Sequence, residues 1–195
     1  METTQVAHVN LSELTWFCPP AQSEVVKEEG AITVKTLGSS DFWRKTHYGF
    51  IRDNGHFLHI EEPIKGNFEA SVSFSGKYQD LYDQAGLMIR KDETTWMKCG
   101  IEFVHGFHQA STVITNDFSD WSVTPLKEAP EWFYLEVVWK APALEVFYSL
   151  DGKEWTMMRL GYLLGTETVG GVLLGLMTCS PDGHGFEVTF KDFKI

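Results

Sequence analysis

Basic residues are scarce in this chain, cysteines scarcer, and helical patterning is nearly absent. Sixteen lysines and arginines stand against 27 aspartates and glutamates, giving a formal net charge of −11 over 195 residues. A polyanion is repelled by that average, and no Lys/Arg cluster reverses it locally, so neither nucleic acid nor an anionic membrane surface is expected as a partner. The three cysteines, Cys18, Cys99 and Cys179, are odd in number, far apart and without a Cys-x-x-Cys pair. That excludes a zinc knuckle or a redox dithiol and predicts reduced, packed thiols. No apolar run reaches the roughly 18 residues that a spanning helix needs. Met1–Gln5 shows no basic stretch followed by an apolar one, so no secretory leader is expected and the expected compartment is the cytoplasm.

What the chain does have is apolar bulk in period-two order. Hydrophobic residues make up 43% and aromatics 14%, with seven tryptophans, which suits sheets packed face to face. In Phe68–Phe74, residues Phe68, Ala70, Val72 and Phe74 share one face. Ala85–Arg90, Trp96–Phe103, Ser111–Thr115, Phe133–Lys140, Val172–Thr178 and Phe186–Ile195 read as further strands, about eleven or twelve in all by this spacing. Asn54-Gly55 and Asp151-Gly152 read as hairpin turns between strand pairs. Only Asn10–Leu14 offers a turn of helix. Pro125, Pro130 and Pro142 fall between strand-like runs, and no linker or repeat divides the chain. The expectation is an all-β chain, residues 1–195 forming a single two-sheet antiparallel β-sandwich.

Candidate site residues follow from strand faces. Over 96–103, Met97, Cys99, Ile101 and Phe103 face the core, leaving Trp96, Lys98, Gly100 and Glu102 on the other side. An aromatic platform beside a cation, a gap and a carboxylate is what a sugar site uses: the ring stacks and charged groups bond hydroxyls. The same row also reads as a plain solvated face. Asn116–Ser122 reads as a polar loop carrying Trp121, either a binding loop with Asn116 and Asp120 or a cover for the sandwich rim. Within Asp41–Phe50, Trp43 and Arg44 are candidates for a groove rim, whereas Tyr48 and Phe50 are expected to point inward. Gln84, Met88 and Arg90 are expected beside the Trp96 row. The ligand-binding set is therefore Trp43, Arg44, Trp96, Lys98, Glu102, Asn116, Asp120 and Trp121.

Metal and cofactor chemistry find little support. His56/His59 and His105/His108 are spaced i, i+3, which puts each pair on opposite faces of a strand; only a sharp loop at 105–108 would bring two together. Asp80/Asp83 and Asp117/Asp120 lack the dense oxygen spacing of a calcium loop. Gly-x-Ser-x-Gly and a phosphate-cradling glycine loop are absent. No metal, no cofactor and no catalytic residue is assigned.

Several runs together carry a family likeness: Asp41–Phe50, Tyr82-Asp83-Gln84-Ala85-Gly86-Leu87-Met88-Ile89-Arg90, Trp96–Phe103, Val113–Ser122, Tyr148–Trp155 and Cys179-Ser180-Pro181. Over roughly residues 12–195 the chain resembles domain-of-unknown-function family 1349. The resemblance implies a concanavalin A-like jelly roll of the lectin/glucanase type. Through a yeast member named for regulation of enolase, it also implies a protein partner or a place near carbohydrate metabolism. Asp83-Gln84-Ala85-Gly86 is similar to a β-sandwich appended to some β-xylosidases, which implies a carbohydrate ligand. The family brings no catalytic residues.

Three functions are compatible with these features. The first is a non-catalytic site for a carbohydrate or sugar-like metabolite on the concave sheet face, in which Trp96 stacks the ring and is removable without unfolding. The second is an enzyme acting on glycosides or sugar acids through Glu102. It would need a second carboxylate about 5–9.5 Å away, and the Glu-x-Asp-x-x-Glu run of sandwich-fold glucanases is missing. The third is a protein-interaction domain, which needs no pocket.

Overall fold

The computed structural model describes residues 7–20, 22–26, 30–166 and 170–195. Among them are the strands β1 Thr15–Phe17, β2 Gln22–Val26, β3 Ala31–Lys35, β4 Phe42–Arg44, β5 Ile51–Asp53, β6 His56–His59, β7 Phe68–Gly76 and β8 Gln84–Arg90. They continue with β9 Thr95–Val104, β10 Phe107–Asn116, β11 Phe118–Pro125, β12 Phe133–Lys140, β13 Ala143–Ser149, β14 Thr156–Tyr162, β15 Leu173–Cys179 and β16 Glu187–Lys194. The short 3-10 turn at Leu11–Glu13 is capped by the Asn10 side chain, which accepts from Ser12 N.

Two seven-stranded antiparallel sheets hold nearly all of these strands. The first runs β1-β6-β15-β8-β9-β10-β11 and the second β14-β13-β12-β7-β16-β3-β2, while β4 and β5 form a separate ribbon. The expected two-sheet sandwich is therefore the observed fold, a concanavalin A-like jelly roll. Alternation decides which residues are inside. In β12, Phe133, Leu135, Val137 and Trp139 are buried while Tyr134, Glu136 and Val138 are half-buried and Lys140 is exposed. These meet Leu87, Ile89, Met97, Cys99 and Ile101 of the first sheet in one core. Each fully buried side chain of this size contributes roughly 1.5–3 kcal/mol.

Two turn expectations part company. Asp151-Gly152 does lie in the β13–β14 connection, with Gly152 at φ 71° and the Asp151 carboxylate accepting from Lys153 N and Glu154 N. Asn54-Gly55 does not join two paired strands. β5 pairs with β4, and β6 crosses into the first sheet between β1 and β15. Both backbone N–H groups of Asn54 and Gly55 donate to the Asp41 carbonyl, closing the ribbon instead. Gly55 is there for clearance, since a Cβ would lie 2.3 Å from the Phe42 ring. The segment 116–122 is not a loop either. Asp117, at φ 63°, makes a tight reversal, and β11 pairs with β10 from Phe118 onward.

Candidate functional site

The outer face of the first sheet is covered. Trp96, Met88, Val113, Met177 and Cys179 form a second apolar cluster with Phe42 and Phe57, beneath the ribbon that carries Phe42. Trp96 is 1% exposed, with its ring 6.1 Å from that of Phe42, so it offers no platform to a ligand. This corrects the stacking role expected for it: beside Trp96 the outward side chains Met88 of β8 and Met177 and Cys179 of β15 are apolar too, and the ribbon covers them. Arg90 locks the cover in place. Its guanidinium makes two bonds to the Asp53 carboxylate, at 2.6 and 2.7 Å, and lies 4.7 Å over the Phe17 ring. Met88 belongs to the same cluster, so neither it nor Arg90 forms a wall of the hollow.

Beside this cluster the face is hollow. A cavity of about 310 Å3 opens between the sheet, the ribbon and the segments 81–82 and 181–182. Its floor is β9, β8 and β10, which contribute Lys98 and Glu102, Gln84, and Val113. Gly100 lies between Lys98 and Glu102 at φ 152° and faces Gly86 of β8; a Cβ on Gly86 would stand 1.8 Å from the Cys99 carbonyl oxygen. This glycine pair lets the strands approach and keeps the floor low between the two charges.

The floor is polar and buried. Lys98 is 4% exposed and Glu102 6%. Lys98 Nζ donates to Asp41 Oδ1 at 3.1 Å, and Asp41 Oδ1 also accepts from Phe42 N at 2.8 Å. Burial works against the Lys98 ammonium, yet the neighbouring Asp41 carboxylate, with Glu102 adding to it, holds its pKa above the ordinary lysine value. Glu102 Oε2 accepts from Ser111 Oγ and Trp121 Nε1, both at 2.7 Å. Burial nonetheless raises the Glu102 carboxyl above the ordinary range, against the pull of Lys98 and of those two donors. Each charge keeps unspent capacity. An ammonium has three donors and Lys98 uses one, while no described residue bonds Glu102 Oε1.

The walls are aromatic. Backbone reversals at Lys45, His47 and Gly49, with φ of 59°, 63° and 75°, throw the Tyr48 and Phe50 rings outward. The two stack at 5.4 Å and are 51% and 37% exposed, so the inward direction expected for them is wrong. Trp43 meets Tyr48 edge-on at 5.8 Å, with its indole N–H spent on the Thr46 carbonyl. Opposite stand Trp121 and Tyr82, edge to face at 6.3 Å. The neighbouring Tyr48 hydroxyl pushes the Tyr82 hydroxyl up to about 12, helped by burial.

Of the eight sequence candidates, Trp43, Lys98, Glu102 and Trp121 line this cavity. Arg44 does not. It is buried, its N–H donates to Ser119 Oγ, and its guanidinium pairs with Asp117 at 3.0 Å, pinning the ribbon to the β10–β11 turn. Asn116 bonds the Tyr162 carbonyl and Leu164 N, and Asp120 pairs with Arg159 at 2.9 Å. Successive residues of a strand face opposite ways, so Asp120 turns from the face that Trp121 shares with Val113. Asp41, Tyr48, Phe50, Arg52, Tyr82 and Asp182 also line it, with Leu81 and Pro181, and were absent from the expected set. Gln84, expected beside the row, does line it. Among the described residues no group of three or more His, Cys, Asp or Glu could hold a metal ion, and the β9–β10 turn is His105-Gly106, with His108 already in β10.

A model of the family described as "Protein of unknown function (DUF1349)" matches residues 16–195. "Regulation of enolase protein 1" of Saccharomyces cerevisiae is 39% identical over 188 residues, 96% of this chain and 91% of that protein. The crystal structure of a functionally unknown S. cerevisiae protein superposes with a TM-score of 0.86 at 39% identity, covering 95% of this chain and 96% of that one. A variant of the GH43 protein BlXynB from Bacillus licheniformis aligns over 100% of this chain and 39% of its own, with a TM-score of 0.71 at 15% identity. That last likeness concerns the fold alone. The chain belongs to the DUF1349 family.

Proposed function

We propose that the cavity binds a carbohydrate or sugar-like metabolite without transforming it. The observation that carries this reading is a buried, half-satisfied polar floor under aromatic walls. Lys98 N–H groups and Glu102 Oε1 are set to meet hydroxyls, while Tyr48, Phe50 and Trp121 offer apolar surface to ring carbons. A volume of about 310 Å3 suits one or two sugar rings. The test is calorimetric titration with neutral sugars, uronic acids and sugar phosphates. At least one is expected to bind with a Kd between about 1 μM and 1 mM, and Tyr48→Ala should weaken that binding while leaving the unfolding midpoint in place. A panel without heat change disposes of the reading.

A second reading makes Glu102 an acid–base catalyst. It is favoured by the carboxyl's raised pKa and by Oε2 being spent on two donors, which puts any proton on the cavity-facing Oε1. Turnover of a glycoside, abolished by Glu102→Gln, would establish it. The printed name of the yeast relative adds a protein partner as a third reading, with no residue of the cavity to carry it.

A further inference from the structure

We propose that the ligand of this cavity carries an anionic group, a carboxylate or a phosphate on a hydroxyl-bearing body, and that Arg52 is the residue that selects it. This rests on the carbohydrate-binding reading above and names its substrate class.

The chain has four arginines. Arg44 pairs with Asp117, Arg90 with Asp53 and Arg159 with Asp120. Arg52 is the one without a carboxylate partner among the described residues, in a protein where acids outnumber bases 27 to 16. It is also the one that lines the cavity. Strand alternation in the ribbon produces the difference. Phe42 faces Asp53 across the pair, and this side meets the sheet, where Arg90 takes the Asp53 carboxylate. Trp43 faces Arg52 on the other side, and both line the hollow.

The Arg52 guanidinium lies 4.8 Å over the Phe50 ring and makes one long bond, 3.4 Å, to the Pro181 carbonyl. Stacked on an aromatic face, a guanidinium points its N–H groups edgewise, and its fork matches two oxygens of a carboxylate or phosphate. The other charges of the cavity are already engaged or lie apart from it. Asp41 holds Lys98, Glu102 Oε2 accepts two donors, and Asp182 is exposed beyond ion-pair distance of Arg52. An anion at the Arg52 fork would therefore sit at the mouth, with its hydroxyl-bearing body reaching down to Lys98 and Glu102.

The test titrates the full chain with glucose, glucuronic acid, glucose 6-phosphate and inorganic phosphate. At low salt the acidic sugars are expected to bind about ten-fold tighter than glucose, with the preference shrinking as sodium chloride is added. In Arg52→Gln, whose fold is checked by circular dichroism, the ratio of acid to neutral affinity should fall to about one; Arg52→Lys should retain part of it. Glucuronic acid and glucose 6-phosphate distinguish the carboxylate from the phosphate. Glucose binding as tightly as either acid overturns the inference and leaves the carbohydrate reading standing, as does a preference that survives Arg52→Gln. Inorganic phosphate matching glucose 6-phosphate also overturns it, because the sugar body then contributes nothing. If none of the three sugars binds, the two proposals fail together.

Discussion

At the scale of the residue, Lys98 and Glu102 show how one floor holds opposite charges in different ways. Lys98 has an ion partner, so Lys98→Met should cost about 3–5 kcal/mol by leaving the buried Asp41 carboxylate unpaired. The double variant Asp41→Asn/Lys98→Met should recover most of that, as read by urea unfolding. Glu102 bears the opposite sign of pH linkage from a salt-bridged acid. Its folded pKa is raised from 4.5, so the unfolded chain gives up the proton first. Stability is full below 4.5 and falls as pH rises through the folded value. Wild type should therefore lose stability relative to Glu102→Gln over that window; a flat or rising difference contradicts the desolvation account. Trp96→Ala should unfold the protein more readily by about 3–5 kcal/mol, since it empties a packed cluster and removes no ligand contact.

At the scale of the element, the ribbon β4–β5 decides what the outer sheet face can do. It buries Trp96 beneath Phe42 and turns Trp43 and Arg52 toward the cavity. Sequence showed the strand faces but not this layer. The odd–even division of Met97, Cys99 and Ile101 against Trp96, Lys98 and Glu102 holds in the structure, with Phe103 half-buried outside the core cluster, whereas the inference that an outward Trp is available does not. A signal was present: Ala85–Ile89 and Leu173–Cys179 are apolar on both faces, the mark of strands covered twice. Asp120 and Asn116 were misplaced for a simpler reason. A stretch of Asp, Ser and Asn reads as loop, yet pairing with β10 makes it strand and splits its residues between two faces. His56 ties this region to the chain before it. Its Nδ1 donates to the Cys18 carbonyl at 2.7 Å, and its Nε2 accepts from Leu37 N at 3.0 Å. Burial lowers its pKa from 6.5, and a second ring proton would break the Leu37 bond. Its contribution to stability is present above 6.5 and lost as pH falls through the folded value. The stability of wild type relative to His56→Gln should rise with pH through this range.

At the scale of the whole molecule, the two-sheet fold was legible because alternation over long strands such as β7, β9 and β12 is a strong signal, and turn chemistry added to it. The short strands β1 and β4 were missed, at three residues each, because three residues do not show a period, and β5 was expected to pair with β6 instead of β4. The cavity is walled in part by the short ribbon strands, and four of the eight expected residues line it. The cavity is lined from both the first sheet and the ribbon, so an occupant should stabilise the chain as a unit, by about 2.7 kcal/mol at a hundred-fold excess over Kd. The most direct measurement follows the indole N–H signals of the seven tryptophans by NMR during titration with glucose and glucuronic acid. The account predicts that the Trp43 and Trp121 signals shift with one shared Kd while that of Trp139, in the core between the sheets, stays fixed. Signals that stay fixed throughout, or that shift at Trp132 or Trp155 and not at Trp121, contradict it.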